Sequence, residues 1–186
     1  MRVLATIAVL TATLLMGCGT IRFVSDYDEV LDKGITEFSE QLNTHVKNMA
    51  ELGGKPEGTY DATFKTYNAL ESKIEVLIAR ASAASEGKAC KLQSKVFQKI
   101  SEVLKTNTPS ELQQGSDATV STASACNARL LVLVGNQLSS IREIHKTADK
   151  CNGLSCIRAA TAKDAMAIAN QSITAVSIVE AAKKLQ

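Results

Sequence analysis

The sequence predicts an all-α protein, an up-and-down four-helix bundle with an additional short helical hairpin, stapled by disulfides. Three observations favour this class. Helix breakers are scarce, with 2 Pro and 10 Gly in 186 residues, while helix formers such as Ala are frequent. Apolar residues recur at steps of three and four through most of the chain. The loops between these segments are short, so that consecutive helices are expected to be antiparallel neighbours.

The first predicted helix begins at Ser25, which is expected to cap it, with Asp28 three residues later as in a capping box. The stretch from Gly53 to Gly58 ends this helix, because Gly and Pro favour turns. The predicted inward face consists of Leu31, Ile35, Phe38, Leu42, Val46, Met49 and Leu52.

A second helix is predicted from Tyr60 to about Ser85, followed by Glu86-Gly87-Lys88, which favours a bend over one continuous helix. Its predicted inward face consists of Tyr60, Phe64, Tyr67, Leu70, Ile74, Leu77, Ala81 and Ala84. Tyr60, Phe64 and Tyr67 form an aromatic stripe at helical spacing. Core packing is the simpler interpretation of this stripe, and a groove for an apolar ligand is the alternative.

The additional hairpin is predicted between residues 88 and 124. Its first segment carries Leu92, Val96, Ile100 and Val103 at helical spacing. Thr108-Pro109-Ser110-Glu111 then predicts a new helix start, because Thr can cap, Pro suits the first helical position and Glu completes the box. The Ser- and Thr-rich stretch 115–124 continues this helix only weakly.

Two further strong helices follow. The third inward face consists of Leu130, Val134, Leu138, Ile141 and Ile144. The run from Arg129 to Val134 would also suit a strand, but no strand partner is evident, so helix is preferred. Asn152-Gly153 predicts a turn. The last helix is predicted from about Ser155 to Leu185, with Ile157, Ile168, Ile173, Val176, Val179 and Ala182 facing inward.

The first seventeen residues are typical of an export signal and are excluded from the fold. Arg2 provides the positive start, and residues 3–14 form an apolar segment too short for a membrane span of about 20 residues. Leu15-Met16-Gly17-Cys18 resembles the lipobox of bacterial lipoproteins, although Met16 is a less usual residue there. The resemblance implies cleavage before Cys18 and acylation of that residue. The alternatives are a cleaved signal without lipid and an uncleaved anchor.

These features divide the chain into a removed signal peptide (1–17), a lipidated Cys18 with a short tether (18–24) and a helical domain (25–186). Gly19 follows the lipidated cysteine. In Gram-negative lipoproteins an Asp at that position retains the protein at the inner membrane, so the resemblance implies the outer membrane. The net charge is +2 and falls to +1 when Arg2 is removed. Such a small charge argues against a nucleic-acid partner, which normally requires a basic patch.

Four cysteines remain after Cys18, and an even number of thiols in an exported protein favours disulfides. If the two segments flanking Thr108 form an antiparallel hairpin, Cys90 faces Cys126. Cys151 and Cys156 flank the turn at Asn152-Gly153. We therefore predict the pairs Cys90–Cys126 and Cys151–Cys156. Zinc, c-type haem and thiol redox sites fit the cysteine spacings less well.

No catalytic or metal-binding motif is apparent, and no cofactor is expected. His45 lies on the apolar stripe of the first helix, where a packed histidine is the simplest interpretation. His145 follows Arg142 and Glu143 in a charged helix end, where cations suit the helix dipole. Asp26, Asp28 and Asp32 would allow a cation site, but a capped helix start explains them better.

The mature start resembles that of a group of uncharacterised proteobacterial lipoproteins. The resemblance lies in Cys18-Gly19-Thr20-Ile21-Arg22-Phe23-Val24-Ser25-Asp26-Tyr27-Asp28 and in Asp32-Lys33-Gly34-Ile35, with looser similarity at Ala79-Arg80-Ala81 and at residues 179–184. It implies class and location but no activity. It also makes Ser25, Asp26, Tyr27 and Asp28 candidates for a surface that the group shares.

Together these features predict a non-enzymatic, lipid-anchored envelope protein that binds another envelope protein or supports a structure. The alternative is a carrier of a small apolar ligand, held near Tyr60, Phe64 and Tyr67. A hydrolase that uses scattered carboxylates such as Asp26 and Asp28 is a third, weaker hypothesis.

Overall fold

The computed structural model describes residues 26–84 and 126–184, and helices make up 84% of them, which establishes a predominantly helical class. The long helices of this part are α1 (Glu29–Glu51), α2 (Tyr60–Ala84), α3 (Cys126–Glu143) and α4 (Ala159–Lys183). A 3-10 turn at Pro56–Gly58 precedes α2, and a π-helical turn at Ile144–Ala148 follows α3. Two short antiparallel strands, β1 (Lys150–Cys151) and β2 (Leu154–Ser155), complete these elements.

The hydrophobic core lies between the four helices. Helix α1 packs against α2 and α4, and α3 packs against the same two helices. The apolar face predicted for the first helix is confirmed, since its residues from Leu31 to Met49 are buried and Leu52 is half-buried. Such burial is the main force that stabilises these helices, because most helical stability in proteins comes from packing of an amphipathic face rather than from helix propensity.

The inward faces of α2 and α3 depart from the prediction at their edges. Phe64 is 38% exposed and Ala84 is exposed, so these two residues do not belong to the core. In α3 Leu131 is fully buried although it was not on the predicted face, whereas the predicted Leu130 is only partly buried. Each residue turns a helix by about 100°, so the positions at the margin of an apolar stripe are decided by where the neighbouring helices lie.

The start of α1 differs from the expected capping box. Asp28 is the N-cap residue, and its carboxylate accepts hydrogen bonds from the amides of Val30 (3.0 Å) and Leu31 (3.1 Å). The prediction that Ser25 caps this helix was wrong, because the helix begins three residues later. Ser25 itself lies outside the described residues.

The last helix also begins later than predicted, at Ala159 rather than near Ser155. The intervening residues form a β-hairpin around the predicted turn. Asn152 and Gly153 both have positive φ angles, of 53° and 83°, which is the conformation that a two-residue hairpin loop requires. The turn is confirmed, and the purely α-helical class is corrected by this small sheet.

The described part of the helical domain has two ends, and each end has its own set of contacts. At the polar end, which we define by Asp28, Arg80, Asn127, Glu180 and Lys183, charged and amide side chains from all four helices contact one another. The opposite, hairpin end comprises the β-hairpin, the π-helical turn and the loop 52–59. The predicted extra hairpin and the proposed bend at Gly87 lie outside the described residues.

Helix α4 is apolar around most of its circumference. It is the one described helix that is long and apolar enough to cross a membrane. Its buried residues include Ala169, Ile173, Val176 and Val179, and a core helix of a soluble domain has the same composition.

Candidate functional site

The described residues contain two clusters of ionisable and hydrogen-bonding side chains. The first, which we call the histidine–tyrosine cluster, consists of His45, Tyr60, Tyr67 and His145 and lies at the hairpin end. The second is the group of charged and amide side chains at the polar end. Each cluster joins elements that are far apart in the sequence.

His145 is completely buried and uses both ring nitrogens. Its Nε2 lies 2.9 Å from the carbonyl oxygen of Gly58, and its Nδ1 lies 3.0 Å from the hydroxyl of Tyr67. A carbonyl oxygen can only accept a hydrogen bond, so Nε2–H donates to it. The Nδ1 of the neutral ring is then an acceptor, and the Tyr67 hydroxyl donates to it. Burial lowers the pKa of His145 below its ordinary value of 6.5, which favours this neutral form, although the hydrogen bond to Gly58 acts in the opposite direction.

His45 is the second buried histidine, and its ring contacts Tyr67 edge-to-face at a centroid distance of 4.5 Å. Burial, with a smaller effect of the nearby His145, lowers the pKa of His45 to about 4. The Nε2 atom of His45 is buried and has no hydrogen-bond partner. His45 is therefore uncharged at neutral pH.

Tyr60 connects the cluster to the surface. Its hydroxyl accepts hydrogen bonds from Arg142, at 2.9 Å from Nε and 2.7 Å from Nη2. Arg142 also pairs with Glu71. The cation of Lys146 lies 5.9 Å from the centre of the Tyr60 ring. The outer rim of the cluster therefore carries two cationic side chains, and the carboxylate of Glu71 at this rim is bound to Arg142.

The cluster and its hydrogen-bond partner Gly58 connect four segments of the chain. His45 lies in α1, Tyr60 and Tyr67 lie in α2, His145 lies in the π-helical turn, and Gly58 lies in the loop before α2. Tyr67 is fully buried, and burial raises the pKa of its hydroxyl far above the ordinary value of 10. A hydroxyl in this state is a hydrogen-bond donor and not a base or nucleophile at neutral pH.

The structure confirms one histidine prediction and corrects the other. His45 is a packed histidine on the apolar face of α1, as expected. The prediction that His145 lies in a solvated, charged helix end was wrong, because the π-helical turn carries this residue into the core. A π-helical turn inserts one extra residue per turn, which shifts the inward face relative to the regular α-helical pattern.

The three residues of the aromatic stripe differ in how far they are exposed to solvent. Tyr67 is buried and Tyr60 is half-buried, in agreement with core packing, whereas Phe64 is exposed. Tyr67 contacts His45, His145 and Tyr60. Histidine rings therefore occupy the space beside Tyr67 in which an apolar ligand was the alternative, and Phe64 lies at the exposed margin of the stripe.

At the polar end, Glu180 is fully buried and binds three partners. Its Oε1 accepts hydrogen bonds from Asn127 Nδ2 and from Lys183 Nζ (2.6 Å), and its Oε2 accepts one from the backbone amide of Asp28 (3.2 Å). The Lys183 side chain is also almost completely buried. Glu180 therefore joins the starts of α1 and α3 to the end of α4.

The candidates for a shared family surface lie beside this group. The Asp28 carboxylate caps α1 and pairs with Arg80 at 2.6 Å. The Tyr27 hydroxyl donates to Asp32 at 2.9 Å, and the cation of Lys184 lies 4.3 Å from the Tyr27 ring centre. Asp26, Tyr27 and Asp28 also line a shallow depression next to Arg80. The contacts of Tyr27 and Asp28 fasten the start of α1 to α2 and α4.

One of the two predicted disulfides falls within the described residues. Cys151 and Cys156 are bonded across the β-hairpin, with their Cα atoms 5.8 Å apart. The Ser155 hydroxyl beside this bond accepts a hydrogen bond from the amide of Tyr60 at 3.0 Å, so the hairpin also caps the start of α2. The predicted Cys90–Cys126 pair cannot be placed, because Cys90 and the Cys126 side chain lie outside the described part.

No group of three or more His, Cys, Asp or Glu side chains in residues 26–84 and 126–184 is arranged to hold a metal ion. Asp28 and Asp32 each contact a cationic side chain instead, Arg80 and Lys184 respectively. In these contacts the two carboxylates hold helices together.

Comparison with known proteins gives no family for this chain: no family model matches it, and no similar curated protein or solved structure was found. The resemblance of the mature start to uncharacterised lipoproteins therefore remains an expectation from the sequence.

Proposed function

We propose that this protein is a lipid-anchored bacterial envelope lipoprotein without enzymatic activity, which acts by binding another protein or by structural support. One observation supports the proposed absence of enzymatic activity. The side chains best suited to catalysis, His45, Tyr67 and His145, are buried and packed against one another. An active site needs a nucleophile or base that a substrate can reach, and these groups serve as internal connections instead.

The anchor would be a lipid on Cys18, with the outer membrane as the destination and no resident cofactor. Only seven residues separate Cys18 from Asp26. At about 3.5 Å per extended residue, this tether spans at most about 25 Å. The polar end would thus stay close to the bilayer, and the hairpin end would project towards a partner.

We further propose that the four helices follow one another up and down, as the short loops suggest. Contacts between the start of one helix and the end of its neighbour support this arrangement. Asp28 at the start of α1 pairs with Arg80 near the end of α2. Asn127 at the start of α3 donates to Glu180 near the end of α4.

The alternative of an apolar-ligand carrier has less support. Its proposed pocket requires Tyr60, Phe64 and Tyr67 to line one space, but Tyr67 packs against both histidines and Phe64 is exposed.

The anchoring part is tested by mass spectrometry of protein extracted from membranes. We expect loss of residues 1–17 and a mass gain that matches acyl chains, and we expect Cys18→Ala to release the domain from the membrane fraction. Recovery of the full-length, unmodified mass from a host that processes lipoproteins would contradict lipidation.

The binding part is tested by photo-crosslinking in cells. A crosslinking residue is placed at the hairpin end, at exposed Phe64 on α2 or at exposed Leu154 in β2, with Cys18→Ala as the matched unanchored control. A reproducible envelope partner that is lost in the control supports the proposal. A co-purifying apolar molecule in place of a partner would favour the carrier. Turnover of an envelope substrate that Asp26→Ala abolishes in a folded protein would overturn the non-enzymatic claim.

A further inference from the structure

We propose that the histidine–tyrosine cluster makes the hairpin end acid-sensitive, so that mild acid opens the hairpin end while the polar end remains folded. This inference concerns a conformational property and does not depend on the proposed envelope function. It rests on the position of the two histidines, their hydrogen bonds and the charges around them.

The cluster is one of the connections that hold the hairpin end to the core. Through His145, the π-helical turn is bonded to Tyr67 on α2 and to Gly58 in the loop before α2. The residues that follow this turn lead directly into β1 and the disulfide-linked hairpin, which is also held by the hydrogen bond from the Tyr60 amide to Ser155 and by the buried Ile157. Loss of the two His145 hydrogen bonds would therefore free the π-helical turn from α2 and weaken the attachment of the hairpin, so that the hairpin end opens more often.

Protonation conflicts with these hydrogen bonds. The Nδ1 of His145 accepts the Tyr67 hydroxyl proton, and a protonated ring has no acceptor left. Tyr67 would have to reverse its role, which leaves its own buried hydroxyl proton without that partner. The second imidazole, His45, contacts the ring of the same Tyr67 side chain, so two positive rings would lie against one buried phenol.

The charged groups around the cluster do not compensate an imidazolium. Two cations lie over the Tyr60 ring, Arg142 from α3 and Lys146 from the π-helical turn. Glu71 from α2 is paired with Arg142. On α1, the residues one turn from His45, which are Gln41, Leu42, Asn48 and Met49, are uncharged. On α4, Lys163 and Asp164 are exposed, and in the hairpin the Asp149 carboxylate is bound by the amide of Arg158.

The direction of the pH effect follows from linkage. The pKa of His45 is about 4 in the folded protein and 6.5 in the ordinary, solvated state. Between these two values the unfolded or opened chain binds a proton that the folded chain does not. Stability is therefore unaffected above this window and falls as the pH decreases from about 6.5 towards 4. His145 acts in the same direction, because its pKa is lowered as well.

The Asp28 contacts of the polar end respond only at lower pH. Burial raises the pKa of Asp28, but the hydrogen bonds and charge of Arg80 and the amides of α1 outweigh this effect and hold the pKa below its ordinary value of 3.8. Asp28 therefore keeps its contacts at pH 5, where an opened His45 is already protonated.

The test is hydrogen exchange of the full chain at pH 7.5 and pH 5, corrected for the intrinsic exchange rates. We expect protection to fall in residues 144–158 and 52–59 and to persist at the two helix ends that contain Arg80 and Glu180. Protonation of His45 alone should raise the equilibrium constant for opening of the hairpin end roughly thirtyfold when the pH falls from 7.5 to 5. Equal loss of protection at both ends would overturn the proposal.

The matched variant is His45→Met, which keeps a buried side chain of similar volume and removes the titrating ring. It should lose the roughly thirtyfold change that His45 contributes and keep only the contribution of His145. The same pH dependence as in the parent protein would contradict the proposal. Should this variant not fold, an NMR titration of His45 in the unmodified protein decides the matter. Titration well below pH 5.5 supports the proposal, and titration near pH 6.5 overturns it.

Discussion

The two ends of the helical domain are held together by different kinds of contact. At the hairpin end, neutral aromatic and imidazole rings pack around Tyr67, and a disulfide closes the adjacent hairpin. At the polar end, the buried carboxylate of Glu180 binds a lysine, an amide side chain and a backbone amide. Each end connects elements that are distant in the sequence.

This difference determines how each end responds to perturbation. A buried neutral cluster depends on staying uncharged, so proton uptake weakens it. A buried ion pair depends on both charges being present, so removal of one partner leaves the other without compensation. The four predictions below test this comparison, starting with the largest expected effect.

The largest effect is expected at Glu180. The Glu180→Leu variant leaves the nearly buried Lys183 cation and the Asp28 amide without their acceptor. Loss of one member of a buried ion pair costs about 3–5 kcal/mol, and the partial freedom of a lysine near a helix end favours the lower part of this range. Urea unfolding at pH 7 measures the change in the free energy of unfolding.

The control is the double variant Glu180→Leu/Lys183→Leu. Replacement of both charges by apolar side chains should recover most of the lost stability. A double variant as unstable as the single one would show that the ion pair is not what the polar end depends on.

The disulfide at the hairpin end is expected to contribute less. The paired variant Cys151→Ala/Cys156→Ala removes a short loop closure, since the two residues are only five positions apart. In the loop-entropy model this lowers the free energy of unfolding by about 2 kcal/mol. Thermal and urea unfolding of both proteins under oxidising conditions measure the loss, and unchanged stability would contradict the expected contribution.

The hydroxyl of Tyr67 should have a moderate effect. Tyr67→Phe keeps the ring packed against His45 but leaves the buried Nδ1 of His145 without its donor. An unsatisfied buried acceptor costs about 1–2 kcal/mol. Tyr60→Phe is the matched control, because Arg142 retains Glu71 and access to water when the Tyr60 hydroxyl is removed. A Tyr60→Phe effect as large as that of Tyr67→Phe would contradict the central role of His145.

The smallest effect is expected at the cap of α1. Asp28→Ala removes the acceptor of two helix amides and should cost about 1 kcal/mol at pH 7, whereas Asp28→Asn retains most of the cap. Because the folded pKa of Asp28 is lowered, its stabilising contribution is present above pH 3.8 and disappears as the pH falls through the lower folded value. Urea unfolding between pH 7 and pH 3 tests this, and a difference that vanished already at pH 6 would contradict it.

The apolar pattern of the sequence was sufficient to locate α1 and its core residues. Leu31, Ile35, Phe38 and Leu42 are spaced so regularly that a single helical face must contain them, and each is buried. The Asn152-Gly153 turn was equally clear, since this dipeptide readily adopts the positive φ angles found there. The same dipeptide is also the strongest short signal for a β-hairpin, and it would have predicted β1 and β2.

The buried polar residues were not predictable in the same way. Glu180 follows Val179 in an amphipathic helix, and nothing local distinguishes it from a solvated glutamate. Its burial depends on Asn127 and on the Asp28 amide, which are 53 and 152 positions away. Likewise, His145 enters the core only because a π-helical turn follows α3 and the Gly58 carbonyl lies opposite.

The sequence by itself therefore determined the four described helices except for their ends, the central positions of their apolar faces, the turn at Asn152-Gly153 and the pairing of Cys151 with Cys156. These features depend on residues that are near in the chain, so local periodicity and short-range geometry specify them. Only the tertiary structure decided which polar side chains meet at the two ends, and hence that the two histidines share Tyr67. Burial of a polar group is stable only with a partner in place, and these partners come from helices that are brought together by packing of the core.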